Sequence, residues 1–225
     1  MHKISNQPCS NLEKNQLSHI QPIILRAGNH LFRMGEETDC IFLLNSGAIK
    51  VYRVSENGYE HIVEFTMPGE ILGIDAVVDG VAMSSALILD TSSVTPIPIK
   101  SLYSENQCFD RKEIVKKIAD SLLREVDHSV MLSQKTADKR LAWFLLRFSE
   151  KLRGRQLSAR EFALPMTQTD LAQYLGIAVE TICREFSHFV TSGLISKQRR
   201  NIKINNLMEL QKILGEEKDD IKNAA

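Results

Sequence analysis

Hydrophobic and polar residues alternate through the first half of the chain in a way that predicts short strands separated by turns. Glycines recur at intervals of eleven or twelve residues, each in a turn-like setting, at Gly35, Gly47, Gly58, Gly69 and Gly80. The runs between them are rich in Ile, Val, Leu, Phe and Tyr, and Asn57-Gly58 is a strong hairpin signal. We predict an all-β sandwich or barrel over about residues 22–103, whose last run is made an edge or exit strand by Pro96 and Pro98.

The periodicity becomes helical from Asp110 onwards. No Gly or Pro interrupts the chain as far as Gln134, and apolar residues recur at steps of three and four, which predicts a long amphipathic helix. Its narrow stripe consists of Val115, Ile118, Leu122, Val126 and Ser129, and Glu125, which interrupts it, is placed with them as a candidate contact residue of the dimer helix. Two arrangements fit this stripe. A coiled-coil seam between subunits is favoured because the stripe is narrow and interrupted by charge, and packing on the chain's own β domain is the alternative.

The last third of the chain contains further helical segments. Residues 137–152 form a periodic helix whose inward face is Leu141, Phe144, Leu145 and Phe148. After an extended segment, residues 166–190 can be read as two short helices joined by a tight turn at Gly176, with Ala172 at the position of close helix contact. The apolar seam between them is expected from Leu171, Leu175, Ile177, Val179 and Ile182. This pattern is a helix-turn-helix, and it predicts DNA binding.

Polar residues of the second short helix are the candidate base-reading groups, namely Glu180, Cys183 and Arg184. A carboxylate accepts from the amino groups of cytosine or adenine, and a guanidinium donates in a fork to guanine. Glu180 can equally be an exposed carboxylate at a helix start, and Arg184 a phosphate clamp. Phosphate contacts are expected from the helix-turn-helix and from a basic hairpin, or wing, after Gly193, at Thr167, Gln168, Thr181, Lys197, Arg199 and Arg200.

One position of the second short helix departs from the usual pattern. Glu185 falls where helix-turn-helix units place an apolar residue of the inner seam, and Phe186 and Phe189 are expected to take over that packing.

Charge is distributed unevenly, although 28 Lys and Arg balance 28 Asp and Glu. Residues 135–212 carry 14 basic against 7 acidic side chains, and such a basic region suits a polyanion such as DNA. The cysteines stand singly at residues 9, 40, 108 and 183, so neither a disulfide framework nor a zinc site is expected, and the thiols are expected to be reduced. Without a long apolar run or an N-terminal apolar core, we expect no membrane span, no signal peptide and a cytoplasmic location.

Several segments in this order resemble the CRP/FNR family of bacterial transcription regulators. They are LFRMGEE, LNSGAIKVYRVSENGYEHIVEF, PGEILGIDAV and MTQTDLAQYLGIAVETICREF; GxDA after Gly69 and VETxxR are closer to the FNR branch. The resemblance covers about residues 20–214 and implies an α+β fold. The implied parts are an N-terminal arm (1–21), a cyclic-nucleotide-binding-like β-roll, or jelly roll (22–108), a dimerisation helix (109–135), a winged helix-turn-helix (136–215) and a polar tail (216–225).

The ligand positions of the family differ in this chain. Members that bind cyclic AMP have a glutamate and an arginine where this chain has Ile74 and Ser84, so the ribose and the phosphate lose their partners and no cyclic AMP is expected. Glu70, a tempting substitute, is expected to face solvent. FNR holds an iron–sulfur cluster on clustered N-terminal cysteines and one in the β domain, whereas here Cys9 stands alone and the β-domain position is Thr95. No cluster is therefore expected.

The resemblance implies a homodimeric regulator on an inverted repeat such as TTGAT-N4-ATCAA. Glu180 and Arg184 match the FNR recognition pattern, while Cys183 replaces a serine and is a weaker donor. RNA polymerase is an expected partner, since residues 55–60 match a region that some members use to contact it. Alternatives are gating by an unknown small effector in the β-roll, or by oxidation of Cys183. An enzyme fused to a DNA reader is the remote alternative, and no enzyme is expected because a P-loop, GxSxG and HExxH are all missing.

Overall fold

The computed structural model describes residues 21–103, 110–134, 136–155 and 158–215. The chain divides into two compact units, residues 1–126 and 127–225, and this division falls inside the long helix. The predicted polar tail lies outside the described residues, as do Cys9, Cys108 and all of the predicted arm except Gln21. Among the described helices, none has both the length and the apolar character that a membrane span needs.

The strands of the N-terminal unit are β1 (Ile23–Leu25), β2 (His30–Phe32), β3 (Cys40–Val54), β4 (Glu60–Thr66), β5 (Ile71–Leu72) and β6 (Ser85–Pro98). They form one antiparallel sheet with the order β1-β6-β3-β4, with β2 beside β6 and β5 beside β3. A tight turn joins β3 to β4, with the N–H of Gly58 donating to Ser55 O at 2.9 Å, so the predicted hairpin is confirmed. Short 3-10 helices occupy Ile74–Val77 and Ile99–Leu102.

The two long strands β3 and β6 pair along their length and carry much of the core. Their buried apolar residues include Ile41, Leu44, Ile49, Ala86 and Ile88. The strand β3 passes through an irregular register at Gly47, which has a φ of 94°. A Cβ there would overlap Ser92 Oγ and lie 2.7 Å from Thr91 O. Only glycine fits this bulge, which lets two predicted short runs continue as one strand.

The prolines near the end of β6 lie in the last strand of the β domain, in line with the predicted exit strand, although this strand is central in the sheet order. However, β1 pairs only with residues 92–94 of β6. Beyond Val94, β3 is the partner, with Phe42 opposite Pro96 and Cys40 opposite Pro98. The proline nitrogens, which cannot donate a hydrogen bond, therefore fall where β6 is locally an edge.

The long helix α1 (Arg111–Leu132) has two different apolar faces. Ile114 and Ile118 pack against the β-sheet residues Ile41, Ile71 and Ile97. The second face is exposed and contains Val115, Leu122, Leu123, Val126, Ser129 and Val130, which we call the exposed stripe.

The sequence prediction for α1 mixed these two faces. It placed Ile118 and Glu125 with Val115, Leu122, Val126 and Ser129, whereas Ile118 is packed on the β domain and Glu125 is half-buried. Residues 114, 118, 121 and 125 recur at steps of three and four and share the inner face of the helix, so the outer face begins one position later.

The elements of the C-terminal unit are α2 (Ala137–Arg153), β7 (Glu161–Ala163), α3 (Gln168–Leu175), α4 (Val179–Thr191), β8 (Ile195–Gln198), β9 (Asn201–Ile204) and α5 (Leu207–Ile213). Its strands form a three-stranded antiparallel sheet of order β7-β9-β8. The predicted inward face of α2 is buried. After α4, Gly193 donates to Val190 O and Leu194 to Phe189 O, which is the Schellman end that a glycine at this position permits.

Two sequence predictions about single side chains are wrong. Glu70 is buried, because its Oε2 accepts from Met67 N at 2.8 Å and its Oε1 lies 3.8 Å from Nε of Arg124 on α1. The carboxylate thus has a turn N–H and a guanidinium in place of solvent. Cys40 is disulfide-bonded, where a reduced thiol was expected. Isolated spacing along the chain does not show which cysteines the fold brings together.

Candidate nucleic-acid interface

The helix-turn-helix is built by two tightly defined ends of α3. A capping box begins it, since Asp170 N donates to Thr167 Oγ1 at 3.0 Å and Thr167 N donates to Asp170 Oδ2 at 3.1 Å. At the other end, Gly176 adopts a left-handed conformation with φ of 62°. Ile177 N then donates to the carbonyl of the buried Ala172 at 3.0 Å. The turn that the sequence predicted at Gly176 is therefore present, with Ala172 at the contact between helices.

Helix α4 presents one apolar and one polar face. Ile182, Phe186 and Phe189 are buried. Glu180, Cys183 and Arg184 are all exposed on the other side, and the Arg184 side chain is 73% exposed. The structure therefore brings the three predicted base-reading residues together on a face that is open to a groove.

Two further residues on this face were missed from the sequence. Ser187 and His188 lie three and four residues after Arg184 and are exposed. The helical period that links Glu180 to Arg184 continues to them, so it was the available signal. Ser187 Oγ is bonded to the carbonyl of Cys183 at 3.0 Å, whereas the His188 side chain is 62% exposed. His188 is thus the more accessible of the two.

Glu185 lies between two cationic or titratable neighbours on α4. Its Oε1 is 3.8 Å from Arg184 Nε, and its Oε2 is 3.9 Å from His188 Nδ1. Only 16% of its side chain is exposed, and Phe186 and Phe189 supply the buried packing, as the sequence predicted. The Glu185 carboxylate therefore lies at the edge of the polar face, beside Arg184 and His188.

The predicted phosphate contacts at the start of α3 differ in their free donors. The Thr167 hydroxyl donates to Asp170 Oδ2 at 2.6 Å and accepts from Asp170 N, so the helix cap uses it. The Oε1 atom of Gln168 accepts from the Cys183 thiol at 3.1 Å, which leaves the amide NH₂ of Gln168 as a donor. Thr181 is half-buried. Gln168 is therefore better placed than Thr167 to contact a phosphate through its side chain.

The wing is a tight hairpin between β8 and β9. Gln198 pairs with Asn201, so Arg199 and Arg200 form its tip, and both are exposed. Arg199 has a φ of 54°, and it is the one non-glycine residue with a positive φ in the described part of the chain. The Lys197 ammonium lies 5.3 Å from the centre of the Phe186 ring, so the wing contacts α4. The wing and α4 are therefore packed together within one compact unit.

A second candidate site is a cavity of about 290 Å³ in the N-terminal unit. Both positions at which the family resemblance implied lost cyclic-AMP contacts, Ile74 and Ser84, line it. Ser84 Oγ donates to Asp75 Oδ2 at 2.8 Å. The charged groups of its lining are Arg53, Glu64, Asp75 and Glu125. Glu64 is paired with Arg124 at 3.1 Å, whereas the Asp75 carboxylate lies directly beside Ser84, at the position where the family resemblance implied a phosphate contact, and there it disfavours a phosphate.

The winged helix-turn-helix, with an exposed polar helix and a basic hairpin beside it, defines a DNA-binding domain. Two family models match the chain, a Crp-like helix-turn-helix domain over residues 139–213 and a cyclic nucleotide-binding domain over residues 22–104. The chain belongs to the CRP/FNR family of transcription regulators, and it is a DNA-binding transcription regulator rather than an enzyme.

Relatives along most of the chain support this assignment. The anaerobic regulatory protein of Aggregatibacter actinomycetemcomitans is 34% identical over 93% of this chain and 84% of its own length. The fumarate and nitrate reduction regulatory protein of Escherichia coli is 33% identical over 91% and 84%. Among solved structures, FixK2 from Bradyrhizobium japonicum aligns with a TM-score of 0.73 at 27% identity, covering 85% of this chain and 95% of that one.

Proposed function

We propose that this regulator binds, as a homodimer, an inverted repeat related to TTGAT-N4-ATCAA. The observation that supports the operator sequence is the shared exposure of Glu180 and Arg184 on α4, in the same compact unit as the basic wing tip. A bidentate contact from Arg184 to guanine is worth about 1–3 kcal/mol of discrimination, and Glu180 accepts from a cytosine or adenine amino group. Arg199 and Arg200 supply the contacts to phosphates that hold the domain in register.

The exposed stripe of α1 supports the homodimer. Its apolar members Val115, Leu122, Leu123, Val126 and Val130 are all more than half exposed. They extend over roughly 22 Å of one helix at a rise of about 1.5 Å per residue. The same stripe of a second copy is a self-complementary partner, as a two-fold symmetric interface requires. Inverted half-sites in the DNA match such a dimer.

We also propose that neither cyclic AMP nor an iron–sulfur cluster serves as its cofactor. A cyclic phosphate in the cavity would face Asp75, which lies beside Ser84, where a cation is needed. Thr95, at the position of the cluster cysteine in the β domain, is a strand residue of β6 opposite Leu43 and offers no thiolate. The cavity instead supports a small effector that is neutral or cationic, and titration calorimetry with and without operator tests for one.

RNA polymerase is the proposed protein partner, in the cytoplasm. Residues 55–59 form the tight turn between β3 and β4, Glu60 begins β4, and Tyr59 at this turn is largely exposed. A relative from Pseudomonas aeruginosa, 34% identical over 85% of this chain, is named a transcriptional activator protein. An exposed aromatic side chain on a hydrogen-bonded turn is suited to such a contact.

Selection of bound sequences from a random DNA pool tests the proposed operator. We expect an enriched inverted repeat for the parent protein. Arg184→Ala should relax the preference at one guanine of each half-site, whereas Arg200→Ala should weaken all sequences about equally and lower the salt dependence of binding. A pool without an enriched inverted repeat would refute the proposal, and equal losses on all sequences for Arg184→Ala would make Arg184 a phosphate contact.

A further inference from the structure

Arg140, in the first turn of α2, joins the end of α1 to the end of α3. Its Nη2 donates to Leu132 O at 2.9 Å and its Nε to Gln134 O at 3.0 Å. On the other side, its Nη1 donates to Leu175 O at 2.9 Å and to Gly176 O at 3.0 Å. We call this set of four hydrogen bonds the Arg140 clamp.

The chemistry of the clamp makes it specific for arginine. The last carbonyls of a helix have no partner within the helix and carry partial negative charge, so a cation at such an end is stabilising. Two helix ends share one cation here, and both are reached by the fixed fork of a guanidinium. Lysine has the same charge but concentrates its donors at one nitrogen, which cannot bond carbonyls on both sides.

A second contact joins α1 and α3 one turn away from the clamp. The rings of His128 and Tyr174 are stacked, with centroids 4.0 Å apart and planes within 3° of each other. His128 Nε2 lies 2.9 Å from Tyr174 O and His128 is buried. At the turn itself, a Cβ on Gly176 would lie 3.3 Å from both Arg140 Nη1 and Leu132 Cδ2. The helix-turn-helix is therefore fixed to the last turns of α1 at two points.

These last turns also carry part of the exposed stripe. Ser129 and Val130 are exposed and belong to the same unit as the helix-turn-helix. We infer that the Arg140 clamp is a specificity-determining device that sets the spacing between half-sites and leaves the half-site sequence to α4. The inference rests on the proposed homodimer. The orientation of α3 and α4 relative to the end of α1 sets the distance between the α4 helices of the two subunits only if α1 is the subunit contact.

Binding to a series of duplexes tests this inference. Each duplex carries the half-sites selected by the parent, with the central spacer kept, shortened or lengthened by single base pairs. We expect the parent to prefer one spacing. For Arg140→Lys, the ratio of affinities between that spacing and its neighbours should fall at least about tenfold, since several charge-assisted hydrogen bonds are lost. The half-site sequence that Arg140→Lys selects should remain that of the parent.

Two further variants make the test decisive. Arg147→Lys is the matched control, because Arg147 on α2 is also bonded to α1, through Asp127 at 3.0 Å, but not to α3, and it should keep the parent profile. His128→Phe keeps an aromatic ring against Tyr174 and removes the bond to Tyr174 O, so it should flatten the profile less than Arg140→Lys. If Arg140→Lys does not fold, His128→Phe decides.

Three results would overturn the inference. One is a parent spacing profile in folded Arg140→Lys, and another is an equal loss of affinity at every spacing, which indicates a purely structural role. An unchanged profile in His128→Phe, when Arg140→Lys does not fold, is the third. These results leave the proposed operator intact, whereas a parent that selects no inverted repeat overturns the proposed function and the inference together.

Discussion

Replacing Leu122 by aspartate is expected to separate the proposed dimer. Complete burial of a leucine side chain stabilises by about 1.5–3 kcal/mol, and Leu122 is 63% exposed in the single chain. Burial of the remaining surface in a dimer is therefore worth about 1–2 kcal/mol per subunit, or about 2–4 kcal/mol for both copies. Its loss raises the dimer dissociation constant about 30- to 1,000-fold, and two facing carboxylates without partners raise it further.

Sedimentation velocity over a range of protein concentrations measures this dissociation constant directly. Leu122→Ala should give an intermediate value, because it removes the apolar contact without adding charge. Asp120→Ala is the control, since it removes an exposed polar side chain from the same helix outside the stripe. If Leu122→Asp retains the dissociation constant of the parent, the stripe is not the subunit contact and the reasoning from its exposure is refuted.

Three further predictions concern single residues. Arg199→Asn should raise the free energy of unfolding by up to about 1 kcal/mol in chemical denaturation, since Asn tolerates a positive φ, and it should also weaken DNA binding. The control Arg200→Asn should weaken DNA binding with no gain in stability. A loss of stability in Arg199→Asn would contradict the strain at φ 54°. Burial, together with the Arg33 charge, lowers the pKa of His30 below its ordinary value of 6.5. The unfolded chain therefore takes up this proton first, and stability should fall as the pH drops below that value. His30→Gln should reduce this fall, and an identical pH profile in the variant would exclude His30 as its cause. Peroxide should lower the operator affinity of the parent but spare Cys183→Ser, because an oxidised sulfur adds bulk and charge to the polar face of α4. Equal losses of affinity in both proteins would rule out gating by oxidation of Cys183.

The elements could be predicted largely from the sequence, because alternation, helical period and turn residues are local properties. The β domain, both helices of the helix-turn-helix and the hairpin at Asn57-Gly58 follow from such patterns. The length of β3 did not, since Gly47 looks like a turn but is a bulge fixed by Ser92 of a distant strand. The two faces of α1 were merged for a related reason: apolar positions along one helix do not reveal which of them the chain's own sheet covers.

The shared exposed face of Glu180, Cys183 and Arg184 could be predicted because the helical period places these residues on one side of α4. The Arg140 clamp was not, since its acceptors are main-chain carbonyls and leave no trace in the choice of side chains. Glu70 was misplaced in the same way, because its burial depends on a peptide N–H and on an arginine more than fifty residues away. Side chains that bond the main chain or distant segments are the part of this protein that local sequence patterns do not show.

The hydrogen bonds of Arg140 also bear on how this DNA-binding domain can be isolated or exchanged. The match to the helix-turn-helix family model begins at residue 139, but two of the carbonyls that Arg140 bonds, those of Leu132 and Gln134, come before it. A fragment cut at the family boundary loses these acceptors and the His128 ring that covers Tyr174. The transferable module begins near Asp127, so a chimaera that replaces the N-terminal unit must keep the last turns of α1 with the DNA-binding domain.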